Sequence, residues 1–393
     1  MNRRAPYDLV VVGAGIVGSA AALAAARDGL KVALVEAREP ARWQQDEPDL
    51  RVVAFAPDNA ALLDDLGVWT GVREARAQPY RRMRVWDAAG GGELCFDADA
   101  LGRPALGHII ENTLLADRLW AACGREPGIH RHCPAKVEAL AQDEHSAAVT
   151  LSDGSVLHGR LVLGADGASS GLRALAGLEA PLHDYGQRGL VAYVGTELPH
   201  EDTAWQRFLP TGPLAFLPFT DGRCSIVWTL PEDEAQRLLE ADEESFRREL
   251  TRAFDARLGE VVSVSARAAF PLRRQLASAY VAGRVALAGD AAHVVHPLAG
   301  QGVNLGLRDV AGLRETWRKA QAAHADLGAQ HRLARWERTR RSENTLAAYS
   351  FEAINRAFSN DAMLPTLLRG HALGLANRLP PLTRLLWERA AGV

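Results

Sequence analysis

Three short stretches carry residues whose types and spacing could do chemistry. The segment ALAGDAAHVVHPLAGQGVNLGLRD, from Ala286 to Asp309, sets Asp290, His293 and His296 ahead of Gly300 and Gly302. Near the start of the chain, GAGIVG places Gly13, Gly15 and Gly18 in G-x-G-x-x-G spacing, with Glu36 further on. Between them, GADGASSGLR carries Gly164, Asp166 and Gly167. An aspartate with two histidines has the ligand types of a divalent-metal site. Glycine loops that open onto helices have the form of a phosphate cradle.

The elements around each stretch favour the cradle. Residues 9–12 are a short apolar run of the kind that forms a buried parallel strand. An Ala-rich helix follows the glycines and ends near Gly29, and a second apolar run, 32–35, ends at Glu36. This is a βαβ unit with its parts in order. Gly13 allows the tight turn, Gly15 lets a pyrophosphate approach the backbone, and Gly18 lets helix and strand pack closely. The helix N-terminus turns free N–H groups and its positive end toward phosphate, and Glu36 stands where an acid accepts from ribose hydroxyls. The fingerprint alone suits FAD and NAD equally.

The same grammar recurs twice. Residues 161–163 read as a strand ending in the GADG turn, after a hairpin marked by Asp153-Gly154. Residues 285–288 read as a third strand, ended by Gly289-Asp290. The loop PLAGQG follows, with a helix from Val303 or Asn304. A metal site would need Asp290, His293 and His296 to converge while the segment also becomes a glycine-rich loop. No further His or acidic cluster stands nearby, so no metal is expected. A strand-end aspartate can hold sugar or ribitol hydroxyls, and a glycine loop at a helix start sets N–H donors beside a ring that gains negative charge on reduction. Three such motifs suit one ligand with phosphates, a sugar chain and a redox ring, which describes FAD.

Taken together, GAGIVG, GADGASSGLR and GDAAHVVHPLAGQGVNLGLRD resemble the FAD-dependent aromatic-ring flavoprotein monooxygenases. The interior segments LGVW, GHIIENTLLADRLW, YGQRGLVAYVGTELPHEDTAWQRFLPTGPLAFLPF and RWERTRRSEN resemble the ubiquinone-biosynthesis hydroxylase branch, over nearly the whole chain. The resemblance implies that Gly13, Gly15, Gly18 and Glu36 hold the ADP half and that Arg51 lies near the flavin. It implies that Asp166, with Gly167, sits near the pyrophosphate and that Asp290 binds ribitol. Gly300, Gly302, Val303 and Asn304 would line the flavin ring, and Pro297 completes the cofactor set. Asn112 stands where many relatives carry Arg or Gln at a helix start, and is counted with the cofactor residues. The implied reaction uses bound FAD, transient NADH or NADPH, and O2. Oxygen would pass from a flavin C4a-hydroperoxide to an electron-rich phenol ring on a lipophilic, prenylated substrate. No catalytic side chain is assigned, because the flavin carries the chemistry. The alternatives are an FAD-dependent reductase of a prenyl lipid and a flavoprotein scaffold of a quinone-biosynthetic complex.

Composition agrees with a soluble globular protein of more than one domain. The chain has 393 residues, 48% hydrophobic and 24% charged, with a net charge of -3. No bias toward nucleic acid results. The four cysteines form no C-x-x-C pair and read as reduced thiols of a cytosolic protein. No signal-peptide core and no bilayer-length apolar run is evident. A second dinucleotide fingerprint is also missing, so the nicotinamide donor would bind only in passing.

The expected fold is α/β: a discontinuous Rossmann-like FAD-binding domain, an inserted mixed β-sheet substrate domain and a helical C-terminus. The cofactor domain takes 1–75, 105–180 and 266–340, the substrate domain 76–104 and 181–265, and the helical region 341–393. Within the insert, 188–198, 203–209, 214–220 and 223–230 read as strands, with a hairpin at Asp221-Gly222. Residues 232–258 read as one charged amphipathic helix. Trp205, Phe208, Phe216 and Phe219 are candidates for an apolar ring pocket, or for core. The basic, apolar C-terminal tail suits contact with a membrane or partner, or docking on its own domain. The expected location is cytoplasmic, and membrane contact by the tail would make it peripheral to the inner membrane.

Overall fold

The computed structural model describes residues 7–88, 92–295, 301–358, 384 and 387. His296, Pro297 and Gly300, and nearly all of the tail from 359 on, lie outside the described residues.

The β-branched runs form the strands Tyr7–Val12, Val32–Val35, Val156–Gly164 and Val285–Leu287. They lie parallel in the spatial order 285–287, 156–164, 7–12, 32–35, with Ile129–His132 beside the last. The three motifs, far apart in sequence, therefore leave one sheet side by side at its carboxyl edge. Open α/β sheets bind ligands at that edge. The hairpin at Asp153-Gly154 forms as expected, between Ala147–Leu151 and 156–164.

The helix Ile16–Arg27 is buried on every side from Gly18 to Ala26. It contacts the parallel sheet and the helices Asn112–Arg125 and Gln301–Ala322. Its alanines allow this, because a helix with no polar face must be enclosed and small side chains let its neighbours close in. It ends at Gly29, whose φ of 84° is the left-handed geometry of a helix stop.

A second sheet has nine strands. Its order is His293–Val294, Ala268–Leu276, Leu182–Thr196, Cys224–Pro231, Gly212–Pro218, Thr203–Leu209, Arg82–Asp87 and Glu93–Asp97, with Val261–Val264 beside 182–196. Side-chain alternation gives it two different faces. Leu190, Leu214, Phe216, Ile226 and Trp228 pack against Leu238, Phe246 and Leu250 of two covering helices. Val191, Pro213, Ala215, Leu217 and Val227, one residue out of phase, face a cavity.

The structure corrects the reading of one element. The charged segment 232–258 forms two helices, Glu232–Glu240 and Glu243–Ala253. Asp242 is extended and accepts from the Ser245 amide at 2.8 Å, so it caps a new helix instead of continuing the old one. Beyond residue 266, Ala268–Leu276 pairs with 182–196 and prolongs the second sheet. Gln78–Tyr80 joins Gly107–Glu111 and Val52–Phe55 in a three-stranded sheet. Backbone pairing sets both arrangements, and it leaves no trace in side-chain pattern. The helix Gln330–Phe358 runs across the expected boundary at 341.

Candidate active site

The first motif is built around close approach. A Cβ on Gly18 would lie 1.9 Å from the Gly13 carbonyl oxygen, and one on Gly13 would lie 2.4 Å from that of Ala165. Gly13 also has a φ of 100°. Gly15, by contrast, faces open space. Glu36 accepts from the Ala14 amide at 2.6 Å and the Arg38 amide at 3.2 Å, so it fastens the glycine loop at the strand end.

The second motif locks onto the first and third. The Ala165 amide donates to Val12, and the Ala288 amide to Gly164. Asp166 accepts from the Ser170 hydroxyl and the Leu172 amide, capping the short helix Gly171–Leu175. Its carboxylate is thus spent on the turn. Gly167, with φ of 82°, faces open space. Sequence reasoning missed Arg173, whose buried guanidinium donates to the carbonyls of Ala291 (2.9 Å) and Ala168 (2.8 Å). An arginine in a turn motif gives no sequence signal that it will bridge two loops.

The third motif is clamped from below by Asp309. One carboxylate oxygen accepts from the Gly289 amide at 3.0 Å and pairs with His293 Nε2 at 2.6 Å. The other accepts from Arg340 at 2.9 Å and Asn344 at 3.0 Å. Burial would raise this carboxyl, but His293, Arg340 and Asn344 outweigh that and hold it below the ordinary range. His293 therefore pairs with Asp309, not with Asp290. Asp290 instead borders the cavity and makes no hydrogen bond to a described residue. Asp290 is solvent-exposed, yet the surrounding protein raises its carboxyl pKa by desolvation, with His293 offsetting part of the shift.

The cavity, of about 1050 Å³, lies between the open face of the nine-stranded sheet and the motif loops. It brings together Arg51, Asn112, Asp290, Gly302 and Val303. Gly13, Gly15, Gly18, Glu36, Asp166 and Gly167 lie outside its lining, at the neighbouring strand ends. Arg51 is exposed at the wall, its guanidinium over Phe270. A network missed by sequence reasoning holds this wall. Buried Glu111 accepts from Trp43 (3.1 Å) and the Asp49 amide (2.8 Å) and pairs with Arg76 (3.3 Å), while burial raises its carboxyl. Asp49 in turn accepts from the Arg51 and Thr113 amides.

Asn304 is buried in the interior. Its side chain accepts from the Ala56 amide and Asn59 and donates to Ala54, all in the buried interior. It ties the long helix to the 52–57 segment. Of the four aromatic candidates, Trp205 and Phe208 border the cavity. Phe216, stacked on Phe254 at 3.7 Å, and Phe219, against Tyr193, are core.

The residues present fit FAD. Among the described residues, Asp290 borders the cavity without a hydrogen-bond partner, and the Asn112 amide oxygen is buried without one. Gly15 and Gly302 leave backbone open to approach. Acid, amide, guanidinium and backbone N–H are donors and acceptors for sugar and phosphate. A second cavity, of about 760 Å³ between Glu243, Arg247 and Glu260, holds none of the motif residues.

Comparison with known proteins points to the same cofactor. Residues 6–345 match the FAD binding domain family. The chain is 36% identical over 389 residues to the 3-demethoxyubiquinol 3-hydroxylase of Escherichia coli K12, covering 99% of each protein. It is 39% identical over 386 residues to the ubiquinone hydroxylase UbiL of Rhodospirillum rubrum, covering 98% of this chain and 89% of that protein. Among solved structures, the p-nitrophenol 4-monooxygenase PnpA of Pseudomonas putida shares the fold, with a TM-score of 0.78 at 20% identity over 98% of each chain. The match of residues 6–345 to the FAD binding domain family, together with these relatives, places the chain in the FAD-dependent aromatic-ring monooxygenases, in the branch of the ubiquinone-biosynthesis hydroxylases.

Proposed function

We propose that the chain hydroxylates the aromatic ring of a polyprenylated phenol in ubiquinone biosynthesis. The observation that carries this reading is the cavity: large, walled by one apolar sheet face, and opening at its other end on the motif loops. An apolar enclosure of this size suits a ring with a prenyl chain, and a few polar groups suffice to orient it. The relatives named for ubiquinone hydroxylation support the substrate class.

When bound, FAD supplies the reactivity with NAD(P)H and O2 that delivers one oxygen atom to the ring. The chain's own residues do the rest. Gly13, Gly15, Gly18 and Glu36 hold the ADP half, and Asp166 and Gly167 shape the turn beside the pyrophosphate. Asp290 accepts from ribitol hydroxyls. Arg51, Asn112 and the backbone of Gly302 and Val303 border the ring end. The sheet face excludes water, which strengthens every polar contact inside. The C-terminal region is the proposed place of peripheral contact with the inner membrane, the source of so apolar a substrate. No helix among the described residues is long and apolar enough to cross a membrane.

The test is incubation of the purified holoprotein with NADPH, a geranylated phenol and ¹⁸O2. The expected product carries one ¹⁸O on the ring. Reduction of the prenyl chain, or no conversion with NADPH or NADH, overturns the proposal.

A further inference from the structure

One polar side chain in the cavity is used neither by the fold nor by the cofactor motifs. Gln206 is 6% exposed and makes no hydrogen bond to a described residue. It lies in the middle of the strand Thr203–Leu209, and alternation turns Ala204, Gln206 and Phe208 to the cavity. Its neighbours across the sheet are Val85 and Ala215, both apolar. A buried amide without a partner is costly, and such a group in a folded protein calls for a ligand or a water. An apolar residue at this register would serve the sheet better.

A second group faces the same space. Tyr80 borders the cavity, and its hydroxyl has no hydrogen bond to a described residue. Desolvation pushes its pKa up to about 12, so it keeps its proton at neutral pH and can donate. Gly107 makes room for it: a Cβ there would lie 2.9 Å from the Tyr80 hydroxyl and 2.7 Å from the Phe55 carbonyl. The hydroxyl therefore sits beside the 54–57 segment, which borders the cavity with Gly302 and Val303. Met83, Leu94, Phe96 and Leu106 supply apolar wall nearby.

We propose that Gln206, assisted by Tyr80, reads the oxygen substituents of the substrate's aromatic ring and so fixes which ring carbon faces the flavin. This rests on the reading of the substrate as a prenylated phenol. The apolar wall takes the chain but cannot discriminate among ring patterns. A site built to hydrogen-bond a substrate oxygen rejects an analogue lacking it far more strongly than an apolar site senses a methylene.

The test uses the holoprotein and two probes, a geranylated 2-methoxyphenol and the geranylated benzene without ring oxygens. Binding is read as a perturbation of the flavin absorbance. The parent is expected to bind the oxygenated probe at least about tenfold tighter. Gln206→Met, near in volume, is expected to bring that ratio to about twofold or less, with FAD content and affinity for the deoxygenated probe unchanged. Tyr80→Phe removes one atom and guards against misfolding; it is expected to lower the ratio about threefold or more. A parent ratio kept in both variants overturns the proposal. A parent that binds neither probe overturns the substrate reading, and the proposal with it. A parent that hydroxylates the phenol but binds both probes equally overturns only the role given to Gln206 and Tyr80.

Discussion

At the residue scale, the three glycines of the first motif are not equivalent. Gly18 touches backbone at a distance no side chain can occupy, whereas Gly15 touches nothing. Gly18→Ala must therefore push helix from strand, at a cost of about 1–3 kcal/mol or more. It is expected to lower the melting point of the apoprotein and to lose FAD. Gly15→Ala is expected to leave the apo melting point unchanged while weakening FAD, because the new methyl meets only the ligand. Thermal unfolding with and without FAD separates the two, and equal losses of apo stability would refute the distinction. Asp290 gives a second test. Its carboxyl is raised above 3.8 by desolvation, with His293 offsetting part. Between 3.8 and the raised value, the folded apoprotein binds more protons than the unfolded chain. Stability contributed by the protonated form is thus present below that window and lost as pH rises through it. Asp290→Asn removes this penalty. The apo variant is expected to be more stable than the parent at neutral pH, with the gain vanishing below 3.8, while FAD binds about tenfold or more weakly. Urea midpoints between pH 3.5 and 8, with a fluorescence titration of FAD, check both halves.

At the element scale, the cofactor helix is held by its far end as well as its glycines. Asp28, just past Arg27, accepts from Arg314, Trp317 and Arg318 of the long helix 301–322. Burial works against the Asp28 carboxylate, but these partners outweigh it and hold the pKa at about 2. A lowered carboxyl stabilises the fold above 3.8, and that stability is lost as pH falls toward 2. Allowing for solvent around the exposed Arg318, Asp28→Asn is expected to cost about 1–2 kcal/mol at pH 7. The cost should fade in acid, which urea unfolding at pH 7 and pH 3 would show. The elements themselves were legible: apolar runs ending in glycine turns announced all three strands of the cradle, and Asp153-Gly154 and Asp221-Gly222 announced hairpins. What joins the elements was not. Asp28 meets Arg314, Asp309 meets Arg340 and Asn304 meets Asn59 across long stretches of chain, and no local pattern marks which buried charge will find which partner. Period-two alternation likewise showed two faces on the strand 203–209 without saying which face meets helices. That is why Gln206 passed as an ordinary strand residue.

At the scale of the whole molecule, the sheet divides two jobs between its faces. One face is closed by helices and gives rigidity, and the other is left open over the motif edge. Substitutions on the two faces should therefore have opposite signatures. Phe216, fully buried against Phe254, belongs to the closed face. Phe216→Ala is expected to cost about 3–5 kcal/mol of stability and to lower all activities together. Ala215, its neighbour in sequence, belongs to the cavity. Ala215→Phe adds bulk where there is empty volume and leaves the helix-facing core untouched. It is expected to keep FAD content and melting point near those of the parent. Product formed from a prenylated phenol should fall about tenfold or more, because the ring and chain no longer fit beneath the sheet. Reduction of the bound flavin by NADPH in the absence of phenol should be unchanged, since that reaction does not need the blocked volume. Stopped-flow flavin reduction, set beside product yield per NADPH consumed, reads the two separately. Full product yield from Ala215→Phe would mean that the substrate reaches the flavin by another route, and the open face of the sheet would lose its role as the wall that positions the ring.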